Sequence, residues 1–234
     1  MGERLDKFLA SQGLGTRKEV GKLIRSGAVL VNGAPQRDPG AKVEPGADRV
    51  TAQGEEIRYQ EFLTIMLNKP AGVLSATEDR RQKTVLDLLP EGLRRRGLFP
   101  AGRLDKDTTG LLLITDDGEL AHKMLSPKNH VYKQYRAQLD APVEEADIQA
   151  FAAGVAWEGE QYAPARLWVE QDPRAAFVEI REGRFHQVKR MFQARGKTVL
   201  QLKRLKIGSL WLDSTLQEGE CRLLTPQEIQ AIFH

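Results

Sequence analysis

The sequence predicts an α+β protein in two parts: a small N-terminal helix-and-hairpin domain over residues 1–60, and a larger domain over residues 61–234 with a mixed, mainly antiparallel sheet. Three observations lead there. Near the N-terminus, two short runs with helical apolar spacing precede a turn-marked hairpin. A polar stretch then separates this unit from the rest. From Val131 onward, strand-like and helix-like runs alternate with few long helices. A chain of 234 residues, 41% of them apolar, has room for a small and a medium domain.

Taken in order, Leu5, Phe8 and Leu9 recur at helical spacing, and Gly13-Leu14-Gly15 ends that helix. Thr16-Arg17-Lys18-Glu19 is a capping box for a second helix, with Val20, Leu23 and Ile24 inward and Arg17, Lys18, Lys22 and Arg25 largely outward. Gly27 stops it. Val29-Leu30-Val31, turned by Asn32-Gly33, reads as a hairpin, and Asp48 to Thr51 as a second short strand. Residues 51–61 are polar and read as a linker. Phe62 to Leu67 is a strand broken by Asn68-Lys69-Pro70-Ala71-Gly72, which alone is only turn chemistry. Thr84 to Leu89 and Glu91 to Gly97 suggest short helical pieces. An apolar strand, Leu111 to Thr115, follows a polar turn. Tyr132 to Leu139, Ala165 to Glu170, Ala176 to Arg181, Thr198 to Leu202 and Lys206 to Leu212 read as strands. Val143 to Gly154 and His186 to Arg195 read as helices, and Thr225-Pro226-Gln227-Glu228 caps a final one.

Composition narrows the functional classes. No run of 18 apolar residues suggests a membrane span, and Met1 to Lys7 is charged, so a cytoplasmic protein is expected. One cysteine and four scattered histidines suggest neither an internal disulfide nor a metal cluster. Net charge is only +3. Its distribution says more: between Arg181 and Lys206 nine basic residues face a single acid, Glu182, as on a polyanion-facing surface or an ordinary solvated face.

The chemistry centres on Gly102-Arg103-Leu104-Asp105-Lys106-Asp107-Thr108-Thr109-Gly110-Leu111-Leu112. A carboxylate beside an obligatory cation can serve as a nucleophile. Two other readings use the same residues. Asp105 or Asp107 could cap a turn, with Arg103 as solvated partner. The string Asp105-Lys106-Asp107-Thr108-Thr109 also matches a phosphohydrolase nucleophile loop. That loop follows a buried parallel strand, however, and Phe99-Pro100-Ala101-Gly102-Arg103 cannot be one.

The full stretch resembles the Gly-Arg-Leu-Asp-x-x-Thr-x-Gly-Leu-Leu signature of pseudouridine synthases. Further strings extend the resemblance: Asn68-Lys69-Pro70, Lys133-Gln134-Tyr135, and Gly183-Arg184-Phe185-His186-Gln187-Val188-Lys189. Residues 4–9 and 16–33 resemble a compact RNA-binding module of a ribosomal protein. Within the family, Asp116-Asp117-Gly118, Ser126-Pro127 and Phe185-His186-Gln187 look more like the small-subunit ribosomal RNA enzymes than their large-subunit relatives.

The resemblance implies an isomerase that turns uridine into pseudouridine in ribosomal RNA without cofactor or metal, as a monomer. It makes Asp105 catalytic, either as nucleophile at the sugar or as base, with Lys189 as its ion-pair partner and Tyr135 beside it. It assigns Arg103, Val188, Arg184 and Lys133 to the substrate and His186 to structure. Arg17, Lys18, Lys22, Arg25 and Arg190 would hold RNA. A large-subunit RNA substrate, or a non-catalytic RNA-binding assembly factor, remain open readings.

Overall fold

The computed structural model describes residues 2–57 and 59–234; Met1 and Arg58 lie outside the described residues. The chain forms two compact units, Met1–Leu63 with Leu89–Leu98, and Thr64–Leu88 with Phe99–His234. Among the described residues, no helix is long and apolar enough to cross a membrane.

The small unit runs β1 (Glu3–Arg4), α1 (Leu5–Ser11), α2 (Arg17–Arg25), β2 (Val29–Val31), β3 (Ala34–Gln36), β4 (Lys42–Val43), β5 (Val50–Ala52) and β6 (Glu55–Ile57). Thr16 and Glu19 close both halves of the capping box. Leu5, Phe8, Leu9, Val20, Ile24 and Val29 form the core. Asn32 and Gly33 take φ of 52° and 82°, the left-handed pair that a tight hairpin requires. The order β3-β2-β5-β6 corrects the linker reading of residues 51–61. Gln53 and Gly54, at φ 53° and 88°, turn the chain back, and Glu55–Ile57 pairs with β5. An edge strand with one solvated face needs few apolar residues, so its polarity looked like a linker.

The larger unit contains β7 (Thr64–Lys69), β8 (Phe99–Ala101), β9 (Thr109–Thr115), α3 (Gly118–Leu125), β10 (Lys133–Leu139), α4 (Glu145–Ala153), β11 (Ala156–Trp157), β12 (Glu160–Gln161), β13 (Arg166–Val169), β14 (Ala175–Ile180), α5 (Gln187–Gln193), β15 (Val199–Ile207), β16 (Leu210–Trp211), β17 (Cys221–Leu223) and α6 (Pro226–Ala231). Its sheet runs β13-β14-β10-β15-β9-β7-β17, with β16 on β15 and β8 on β9. All pairings are antiparallel except β15 with β9, which meet at Lys203–Thr109 and Arg204–Gly110. Gly110 is required there. At φ 96° a Cβ would lie 2.3 Å from the Arg204 carbonyl oxygen. One core cluster joins Met66, Leu111, Leu113, Met124, Ile207 and Ile232. Phe151 of α4 and Phe192 of α5 pack with ring centres 4.9 Å apart.

The two strands read at 198–202 and 206–212 are one long strand, β15, and the short β16. Residues 203–205, which the sequence reading leaves between two strands, continue β15 without a break. Arg204 is only 3% exposed. Residues 85–88 and 91–93 form single 3₁₀ turns.

Candidate active site

The loop between β8 and β9 carries Asp105, and buried donors hold its backbone. Lys69, at the end of β7, is fully buried; its Nζ donates to the carbonyls of Pro70 (3.0 Å), Lys106 (3.2 Å) and Thr108 (2.9 Å). The Gly72 N–H also reaches Lys106 O at 2.8 Å. Ser75 Oγ donates to Leu104 O (2.8 Å) and accepts the Leu104 N–H (3.1 Å). Arg204 donates to Gly102 O (2.9 Å) and to Leu111 O (2.7 Å). Thr108 N–H closes the turn on Asp105 O at 3.1 Å. The carbonyls of Gly102, Leu104, Asp105, Lys106 and Thr108 are thus all satisfied, so the loop is fixed while the Asp105 side chain stays presented. Burial pushes the Lys69 ammonium down to about 8, against the pull of Asp107 and Asp105.

Asp105 meets two groups from the start of α5. Its Oδ2 lies 3.2 Å from Lys189 Nζ and its Oδ1 3.5 Å from His186 Nε2. Lys189 also donates to Asp107 Oδ1 at 2.6 Å. One ammonium therefore bridges both carboxylates of the loop. That hydrogen bond holds the Asp107 carboxyl below the usual carboxylate range. His186 turns the chain into α5 at φ 53° and stacks on the exposed Phe185, with ring centres 3.8 Å apart.

Asp105 opens into a cleft of about 720 Å³ lined also by Arg103, Lys133, Tyr135, Arg184 and Val188. Six of the sequence-predicted residues therefore share one wall system, and Lys189 reaches it through Asp105. Lys133 and Tyr135 lie two residues apart on β10, hence on one face of the sheet, and each is 7% exposed. Burial pushes the Lys133 ammonium down to about 8, and Arg204 pushes it the same way. Arg103 is exposed. Arg184 pairs with Glu160 at 3.0 Å and donates to Gln161 O at 2.8 Å, tying the α5 approach to β12. Arg190 lies 3.4 Å from both Glu160 Oε1 and the Tyr162 hydroxyl, and 5.2 Å from the Phe185 ring centre. Arg17, Lys18, Lys22 and Arg25 are exposed on α2 of the small unit, and Arg17 holds Asp6 at 3.1 Å.

The nine-cation stretch is not wholly a surface. Arg204 is spent on backbone carbonyls, and Lys197, 8% exposed, pairs with Asp147 at 2.7 Å. Sequence reasoning also passed over Lys69, Ser75 and Arg204 as loop anchors and Asp107 as the second ligand of Lys189. Asn68-Lys69-Pro70 was the available signal for Lys69, but its burial depends on β7 pairing through Lys69–Gly110. The phosphohydrolase arrangement is absent, since β8 enters the loop antiparallel to β9. The geometry presents a loop-fixed carboxylate, about a quarter exposed, against a cation, an aromatic ring and a cleft.

The family model for RNA pseudouridylate synthase matches residues 63–194, and the S4 domain model matches residues 3–48. The chain is 46% identical over 233 residues to the uncharacterized RNA pseudouridine synthase YtzG of Bacillus subtilis (strain 168), covering 98% of each. It is 42% identical over 232 residues to ribosomal small subunit pseudouridine synthase A of Escherichia coli (strain K12), covering 98% of this chain and 99% of that one. A solved pseudouridylate synthase structure is 39% identical, with a TM-score of 0.68, over 98% of this chain and 99% of that chain. With the motif loop, the sheet and the small unit all matched, the chain belongs to the RNA pseudouridylate synthase family.

Proposed function

We propose that this protein converts a uridine of small-subunit (16S) ribosomal RNA to pseudouridine, and that Asp105 is the acting carboxylate. The observation that carries this reading is the Asp105–Lys189 pair at 3.2 Å, opening into the cleft that Tyr135 lines. The names of the full-length relatives favour the small subunit over the large one. The reaction breaks the C1′–N1 bond, turns the ring and joins C5 to C1′. Composition is unchanged, so no second substrate is consumed.

Each residue then has a task. Lys189 faces the negative charge of Asp105 and fixes its direction. Tyr135 and Val188 provide a flat and an apolar surface for an extruded base. Arg103, exposed at the cleft, meets the phosphates or the space left by the base. Lys133 and Arg184 complete the substrate wall. Extrusion costs a few kcal/mol, which phosphate contacts from Arg190 and from Arg17, Lys18, Lys22 and Arg25 offset. The protein acts as a monomer in the cytoplasm, which sizing and fractionation check.

The test is incubation with small- and large-subunit ribosomal RNA fragments, followed by carbodiimide mapping. A new pseudouridine in the small-subunit fragment is expected. Modification confined to the large-subunit fragment would move the substrate, and none on either would remove the reading.

A further inference from the structure

Lys133 differs from the other buried cations of the larger unit. Lys69 gives its ammonium to three carbonyls, Arg204 gives its guanidinium to two, and Lys197 pairs with Asp147. Among the described residues, Lys133 has no such partner, although it is 7% exposed. Its side chain lines the cleft shared with Asp105 and Tyr135. The charge that acts on it most strongly is Arg204, which repels it. A largely buried ammonium without a counter-ion is costly, and one that lines a cleft is placed to take a ligand that supplies the missing charge.

The proposed reaction generates such a charge. When C1′–N1 breaks, its electron pair stays on the uracil, which becomes an anion delocalised over the ring and its carbonyl oxygens. The ring turns, C5 bonds to C1′, the C5 proton leaves and N1 gains one. Both routes open to Asp105 pass through the same detached anion: on one, Asp105 forms an ester bond to C1′ that breaks when C5 displaces the carboxylate; on the other, Asp105 takes a ribose proton and returns it to the sugar as C5 joins C1′. We propose that Lys133 is the counter-cation of the detached uracil, donating to a carbonyl oxygen of the ring while Asp105 attends to the sugar. This rests on the function proposed above. It gives Lys133 a charge-stabilising task that a bound but unreacted base demands far less.

The experiment uses the full chain, a small-subunit RNA fragment, and the Lys133→Met and Lys133→Arg variants. Single-turnover rate at saturating RNA, RNA affinity against salt, and melting temperature are measured together. Lys133→Met is expected to lose about 100-fold in rate, the scale seen for removal of one preorganised donor. Its affinity stays within about twofold and its salt slope is unchanged. Its melting temperature equals or exceeds wild type, because an unpaired buried charge has gone. Lys133→Arg recovers part of the rate. A wild-type rate in Lys133→Met overturns the proposal. So does a weakened affinity with a salt slope reduced by about 1, which marks a phosphate contact instead. A lowered melting temperature with no rescue by Lys133→Arg also overturns it, as a structural role. An inactive wild type would overturn the underlying reading, and the same assay shows it.

Discussion

In the small unit, Arg17, Lys18, Lys22 and Arg25 lie exposed along one helix; in the larger unit, Lys69, Lys133 and Arg204 are between 0% and 7% exposed around one loop and cleft. Exposed cations attract a polyanion wherever it lies, and salt screens them. Lys69 and Arg204 act on named carbonyl oxygens at fixed distances, Lys133 lines the cleft without a partner among the described residues, and screening reaches such buried cations little. Under the proposed function, the same residue types would serve RNA binding in one unit and positioning in the other. The contrast also separates their consequences: substitutions around the loop should remove rate, and substitutions on α2 should remove affinity.

The largest effect expected is at the carboxylate. Asp105→Asn should cut the single-turnover rate at least ~1,000-fold, with RNA affinity and melting temperature near wild type. Lys189→Met should cost about 30–100-fold in the same assay, equivalent to a charge-assisted contact of ~2–3 kcal/mol. Asp107→Asn, which leaves Asp105 paired, should cost less than about fivefold. An effect of Asp107→Asn equal to that of Lys189→Met would show that the shared ammonium serves Asp107 instead.

Lys69→Met removes hydrogen bonds to three loop carbonyls, of which Lys106 O keeps the Gly72 N–H and the buried Thr108 O loses its ammonium donor. It should destabilise the larger unit by about 3 kcal/mol in denaturant unfolding and lower the rate as the loop loosens. On α2, Lys18→Ala should weaken RNA binding with a salt slope reduced by about 1, and leave the saturated rate unchanged. The smallest effect is expected from acid titration at the edge of the larger unit. Hydrogen bonds from Arg222 hold the Glu228 carboxyl at about 2. A depressed carboxyl stabilises the fold above its unfolded value and loses that contribution as pH falls through its folded value. Wild type should therefore lose stability between about pH 4.5 and 2. Glu228→Gln should show a shallower acid limb in thermal melts.

Local signals were legible where local chemistry decides the structure. Thr16 and Glu19, and Thr225 and Glu228, cap their helices as the sequence indicated. Asn32-Gly33 turns its hairpin, and the run from Leu111 to Thr115 lies within a buried strand. The approach of Asp105 to Lys189 came from the family resemblance, since the two are far apart in sequence. What stayed hidden depends on partners distant along the chain. Arg204 looks like surface charge until β15 lies parallel to β9, and Lys69 looks like turn chemistry until its strand pairs with Gly110. Residues 89–98 join the small unit although they lie between strands of the larger one, and no local pattern marks that.

The most direct measurement is the single-turnover rate against RNA concentration for two variants beside wild type: Asp105→Asn, and a fourfold Ala replacement of Arg17, Lys18, Lys22 and Arg25. The account predicts that Asp105→Asn loses the plateau and keeps its affinity, whereas the fourfold variant keeps the plateau and shifts half-saturation to higher RNA. A full plateau in Asp105→Asn, or a fourfold variant that loses its plateau while still folded, would contradict it.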